Sequence, residues 1–109
     1  MKYGILGDIH GNITALRAVL ERFRGHRVDR ILSVGDVVGY GAAPRECIAL
    51  LREIGAKVVK GNHDAACVNE IDLAYFNAYA RTAVTWTRTQ LTREESTWLA
   101  RLPYTLDFE

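Results

Sequence analysis

Three short apolar runs, each closed by glycine and then by a polar cluster, punctuate the first half of the chain. Tyr3 to Gly7, Ile31 to Val34 and Val58–Val59 carry the largely apolar pattern of buried strands. Between the first two, Leu16, Val19, Leu20 and Phe23 repeat at helical spacing, after Asn12 as a capping residue and before Gly25 as a stop. Cys47, Ile48, Leu51 and Ile54 form a second stripe, with Pro44 at a natural first helical position and Gly55 at the end. The order strand–helix–strand–helix–strand predicts an α/β fold with a parallel sheet and right-handed crossovers.

Beyond Asp64 the pattern turns helical. Ile71, Ala74, Tyr75, Ala78, Tyr79, Thr82 and Trp86 fall near one face of a single long helix. Thr92 followed by Glu95 is a capping-box signal for another, with Trp98, Leu99 and Leu102 on its apolar side and Pro103 at its end. Trp86 and Trp98 are expected in the core, and Tyr104 to Phe108 predicts a further strand. No repeat, low-complexity segment or linker interrupts the chain.

At 109 residues there is room for one small domain, and 49% hydrophobic residues supply a core. A net charge of +1, without long runs of one sign, gives no indication of a nucleic-acid or anionic-membrane groove. Ile5–Leu6 is too short for a signal-peptide core, and no apolar run approaches the ~20 residues of a membrane span. Cys47 and Cys67 lack both the close spacing of a zinc hook and the density of a secreted disulfide scaffold. They are expected to be reduced thiols of a cytoplasmic protein.

The chemistry lies in the polar residues just past each strand. If the strands are neighbours, Asp8, His10, Asp36, Asn62 and His63 converge on one rim, where open α/β sheets place their ligands. Singly these signals are weak: Asp8 would also serve as a helix cap, and Asp36 as a turn residue. Gly61-Asn62-His63-Asp64 is more specific, since a given tetrapeptide arises on the order of once in 10⁵ positions at average usage. A turn explains Gly61 and Asn62 but not His63. Carboxylate, imidazole and amide gathered on one rim point to a metal site acting on phosphate esters. No phosphate-binding P-loop is present.

Gly7-Asp8-Ile9-His10-Gly11-Asn12, Gly35-Asp36-Val37-Val38-Gly39-Tyr40-Gly41 and Gly61-Asn62-His63-Asp64 resemble, in order, the first three motifs of the calcineurin-like metallophosphoesterases. The resemblance is closest to their small bacterial and archaeal branch and runs over nearly the whole chain. It implies the parallel-sheet half of a four-layer sandwich that holds two divalent metal ions, manganese, iron or zinc by donor type. Carried over by position, Asp8 and His10 bind the first ion, Asp36 bridges both, and Asn62 binds the second. His63 stands by the leaving group as proton donor or charge stabiliser, and Asp64 orients His63 by a hydrogen bond. The implied reaction is hydrolysis of a small phosphorylated substrate, monoester or diester.

The family draws further histidines from two later motifs, but this chain has three histidines, and His26 falls in the charged turn Arg24-Gly25-His26-Arg27. The expectation is therefore an N-terminal part of the domain, with the C-terminal half missing and only partial metal occupancy. A bare sheet face would favour a homo-oligomer. A non-catalytic scaffold on the same fold is the competing reading, although His63 favours an enzyme origin. A flavodoxin-like or receiver domain would explain Asp8 and Asp36 but not His63. Tyr40, between two glycines, is either an entrance residue or a packing plug. Arg81 and Arg88 are expected on a solvated helix face.

Overall fold

A computed structural model of the chain describes residues 1–107. Strands β1 (Tyr3–Leu6), β2 (Arg30–Ser33) and β3 (Lys57–Val58) lie parallel in the order β1-β2-β3. Helix α1 (Ile13–Gly25) links the first pair and α2 (Pro44–Glu53) the second. Asn12 caps α1 through a bond from the Ala15 amide, and Pro44 opens α2. Both agree with the sequence expectation. The remaining helices are α3 (Asn62–Cys67), α4 (Ala78–Gln90) and α5 (Arg93–Ala100). Among the described residues no helix is long and apolar enough to cross a membrane.

Residues paired across a sheet share a face, so Leu6, Ser33 and Val58 stand together. That face meets the helices. Gly4 lies so close beneath Phe23 of α1 that an added Cβ would sit 2.7 Å from its ring. Leu16, Ile48, Leu51, Val58, Val84 and Leu99 form the core on this side. The opposite face is bare, with Ile5 64% and Val34 60% exposed.

The predicted long helix from Ile71 to Trp86 does not form as one element. A short 3-10 turn, Leu73–Tyr75, ends at extended Phe76, and α4 starts afresh at Ala78. Asp72 and Asn77 cause the break, each accepting from a backbone amide ahead of it, Ala74 and Ala80 respectively. Apolar spacing carried across this break misplaces the inward face of α4. Ala80, Val84 and Thr87 are buried, whereas Tyr75, Tyr79 and Trp86 are exposed. Trp86 is thus not a core residue.

The strand expected from Tyr104 is also absent through Asp107, and Phe108 lies outside the described residues. Backbone and side-chain hydrogen bonds hold this segment instead. The Lys60 amide donates to the Pro103 carbonyl (2.7 Å), and the buried Lys60 ammonium donates to Glu70 (2.8 Å) and the Ala100 carbonyl (2.9 Å). The Tyr104 hydroxyl donates to Glu70 at 2.6 Å. The capping box of α5 forms in full, Glu95 donating its amide to Thr92 Oγ1 and accepting from the Thr92 amide.

Candidate metal centre

The three motifs meet because the parallel pairing continues past the strands. The Asp8 amide donates to Gly35 O (3.2 Å), His10 to Asp36 O (2.8 Å) and Gly11 to Val37 O (2.8 Å). Along this seam Asp8, His10 and Asp36 take left-handed backbone conformations, at φ of 51°, 47° and 56°. For residues with a Cβ that is unfavourable by about 1–2 kcal/mol each, and it persists where the surroundings over-determine the chain. The result is one cluster. Ligand atoms of Asp8, His10 and Asp36 all lie within 4.8 Å of one another.

The chemistry of the trio suits a cation. His10 Nδ1 lies 3.0 Å from the Val38 carbonyl oxygen, which can only accept, so Nδ1 donates to it, and in the neutral ring Nε2 has the lone pair. Nε2 stands 3.8 Å from Asp8 Oδ1, whose side chain is 80% exposed. Asp36 Oδ1 accepts from the His63 amide at 2.9 Å. Among the described residues no lysine or arginine forms an ion pair with Asp8 or Asp36. Two carboxylates and an oriented imidazole are therefore free to serve as donors.

Asp64 corrects the expectation placed on it. It faces inward, fully buried, and its carboxylate accepts four backbone amides. Oδ2 takes those of Asp36 (2.9 Å) and Gly61 (3.0 Å), and Oδ1 those of Val37 (2.9 Å) and Val38 (3.2 Å). No bond to His63 forms, because both oxygens are engaged by the Asp36–Val38 turn and by Gly61. Burial pushes the carboxyl up to about 6 against the pull of these amides, so at neutral pH it is ionised. Gly61 is required beside it, since a Cβ there would collide with the Asp36 carboxylate and backbone.

His63 is buried, and its Nδ1 has no hydrogen-bond partner among the described residues. Its ring lies 4.7 Å from His10, 5.0 Å from Tyr40 and 5.1 Å from Phe76. Burial holds its pKa below the ordinary imidazole value, against the opposing attraction of Asp36. Gly39 makes room for it, because a Cβ there would stand 2.7 Å from Nδ1. Asn62 is exposed at the first residue of α3, between Gly61 and His63. Thus Asp8, His10 and Asp36 come together, His63 packs against them, Asn62 is its exposed neighbour in the chain, and Asp64 lies behind.

A cleft of about 540 Å³ opens beside Asp8 and His10, walled by Asn12, Thr14, Tyr40 and Ala43. Sequence reasoning gave no place at the site to Phe76, whose ring meets His63 edge-on and which no local signal marks. Arg88 is a structural residue, donating to the Ala66 carbonyl near the end of α3 (2.6 Å). His26 lies exposed just past α1, as the sequence suggested. Cys47 and Cys67 are buried and unbridged, and burial raises their thiols to about 11 and about 12.

The sequence pattern of the calcineurin-like phosphoesterases matches residues 1–106. A crystal structure of a metallophosphoesterase from Sphaerobacter thermophilus superposes with a TM-score of 0.79 at 45% identity, covering 98% of this chain and 44% of that one. An uncharacterised protein of Methanocaldococcus jannaschii is 38% identical over 103 residues, 94% of this chain and 42% of its own length. A symmetrical bis(5'-nucleosyl)-tetraphosphatase of Psychromonas ingrahamii is 39% identical over 64 residues, 55% of this chain and 23% of its own. The chain therefore spans less than half the length of these relatives. With the motif-bearing turns assembled on one rim and the match running along almost all of its length, the chain belongs to the calcineurin-like phosphoesterase family.

Proposed function

We propose that this chain is the N-terminal part of a phosphoesterase domain that hydrolyses phosphomonoesters or phosphodiesters at a binuclear metal centre. The observation that carries this reading is the convergence of Asp8, His10 and Asp36 within 4.8 Å, with His10 Nε2 kept free by the Val38 carbonyl. Asp8, His10 and Asp36 would hold the metal, with the Asn62 amide oxygen as a further donor. Mixed oxygen and imidazole donors suit manganese, iron or zinc. Such ions supply Lewis acidity toward phosphoryl oxygens and an activated water.

The chain's own residues do the rest. Asp64 keeps the Asp36 turn in place through the amides it accepts. His63, whose pKa burial holds below the ordinary imidazole value, would offer a ring N–H to the leaving oxygen as charge develops there. The relative named as a bis(5'-nucleosyl)-tetraphosphatase supports a small phosphorylated substrate. Buried, unbridged Cys47 and Cys67 support a reducing, cytoplasmic setting.

The test is hydrolysis of bis-p-nitrophenyl phosphate with added Mn²⁺, beside calorimetric titration of the metal. The expected result is metal-dependent turnover that His63→Ala removes while metal binding survives. Metal binding unaffected by Asp36→Ala would overturn the assignment of the trio. A scaffold role predicts no dependence of any turnover on His63.

A further inference from the structure

Tyr40 is held at φ +62° between Gly39 and Gly41, in a region that glycine enters freely and residues with a Cβ do not. Burial does not compensate for this, because Tyr40 is 50% exposed. Nor does its hydroxyl form a hydrogen bond among the described residues. What distinguishes the side chain is its position. Its ring centroid lies 5.1 Å from His10, edge to face, and 5.0 Å from His63, tilted by 39°. Beside it opens the cleft that also carries Asp8, Asn12 and Thr14.

The mounting is firm. The Gly41 amide donates to the His10 carbonyl at 2.7 Å, and the Ala43 amide to that of Gly11 at 2.9 Å. Gly39 is buried against His63. A half-exposed aromatic ring is thus fixed against both imidazoles, with one side turned to the cleft. A residue that served only to plug the loop would be buried, or would be glycine.

We propose that Tyr40 determines specificity by stacking on the leaving group of the phosphoester, so that the site prefers a planar aromatic leaving group over an alkyl one. This rests on the phosphoesterase reading of the Asp8–His10–Asp36 trio. An aromatic face is matched by another aromatic face in offset or edge geometry. A ring anchored at one side meets its ligand with little further loss of side-chain freedom.

The test uses benzylphosphonate and ethylphosphonate, unhydrolysable counterparts of an aryl and an alkyl ester, titrated into the Zn²⁺-loaded chain and followed by amide NMR shifts. Wild type is expected to bind the benzyl compound about tenfold more tightly, a ratio equivalent to ~1.4 kcal/mol and within the range for aromatic stacking on a base. Tyr40→Phe should keep that ratio. Tyr40→Gly, whose backbone suits φ +62°, should bring that ratio within about twofold. A preference that survives Tyr40→Gly, equal weakening of both ligands, or no preference in wild type overturns the stacking role. If wild type binds neither phosphonate, the phosphoesterase reading itself falls, and this inference with it.

Discussion

Replacing Asp64 with Asn removes one hydrogen-bond acceptor from a place where four amides depend on two oxygens. The shape is nearly unchanged, so the effect isolates hydrogen bonding. Asparagine keeps one carbonyl oxygen and sets an NH2 group, a donor, where the other oxygen was. Whichever way the amide turns, two backbone N–H groups face a donor. They are the Asp36 and Gly61 amides in one orientation, and the Val37 and Val38 amides in the other. Leaving a buried N–H unsatisfied costs about 1–3 kcal/mol, so the pair amounts to about 2–6 kcal/mol. For a domain of this size the whole stability is expected near 5–15 kcal/mol.

Urea denaturation at pH 7, followed by the fluorescence of Trp86 and Trp98, measures the difference. With a slope of about 2 kcal/mol per molar, the midpoint should fall by roughly 1–3 M. Asp29→Asn is the control, since Asp29 accepts an exposed backbone bond from Lys2, and its effect should stay within about 0.5 kcal/mol. A loss below about 1 kcal/mol for Asp64→Asn, at unchanged slope, would show that the carboxylate is not what holds the Asp36 turn. A large loss of metal affinity without a loss of stability would point instead to direct involvement of Asp64 at the site.

Hydrogen bonds from Lys60, then Tyr104, hold the Glu70 carboxyl below its ordinary value of 4.5. The unfolded chain therefore binds that proton first as pH falls, so the stability Glu70 contributes is present above 4.5 and is lost as acid approaches its folded value. Glu70→Gln should flatten the acid limb of stability against pH, and parallel curves for variant and wild type would refute this. Gly39→Ala places a Cβ 2.7 Å from His63 Nδ1 at a φ of +91°, and should cost about 1–3 kcal/mol by thermal melting while shifting the His63 ring resonances. An unaltered melting curve would mean that the loop yields easily. Thr92→Ala breaks the capping box of α5 and should cost about 1 kcal/mol in the same melt, without altering metal binding.

Local signals in the sequence were faithful where a feature needed only its own neighbours. Asn12, Pro44 and the Thr92–Glu95 pair sit at helix starts because each satisfies or spares amides within the first turn. The break before α4 was equally local, but apolar spacing running through Asp72 and Asn77 masked it. Tyr104 was misread for another reason. Its partner, Glu70, lies far off in sequence, and no propensity encodes that bond.

Residue order alone was enough to specify the three strands, the turns that end them, and the residue types gathered on their rim, because apolar runs and turn chemistry depend on short-range order. It also identified the family, since the motifs are contiguous. Folding settled what those residues do to one another. Continued pairing beyond β1 and β2 draws Asp8, His10 and Asp36 together, and a carbonyl 28 positions away sets which nitrogen of His10 stays free. Asp64 turned out to serve the Asp36 turn rather than His63, because helix α3 points it inward at amides that only the folded chain brings there. Hydrogen bonds across such separations depend on three-dimensional proximity, and adjacent residues along the chain carry no record of it.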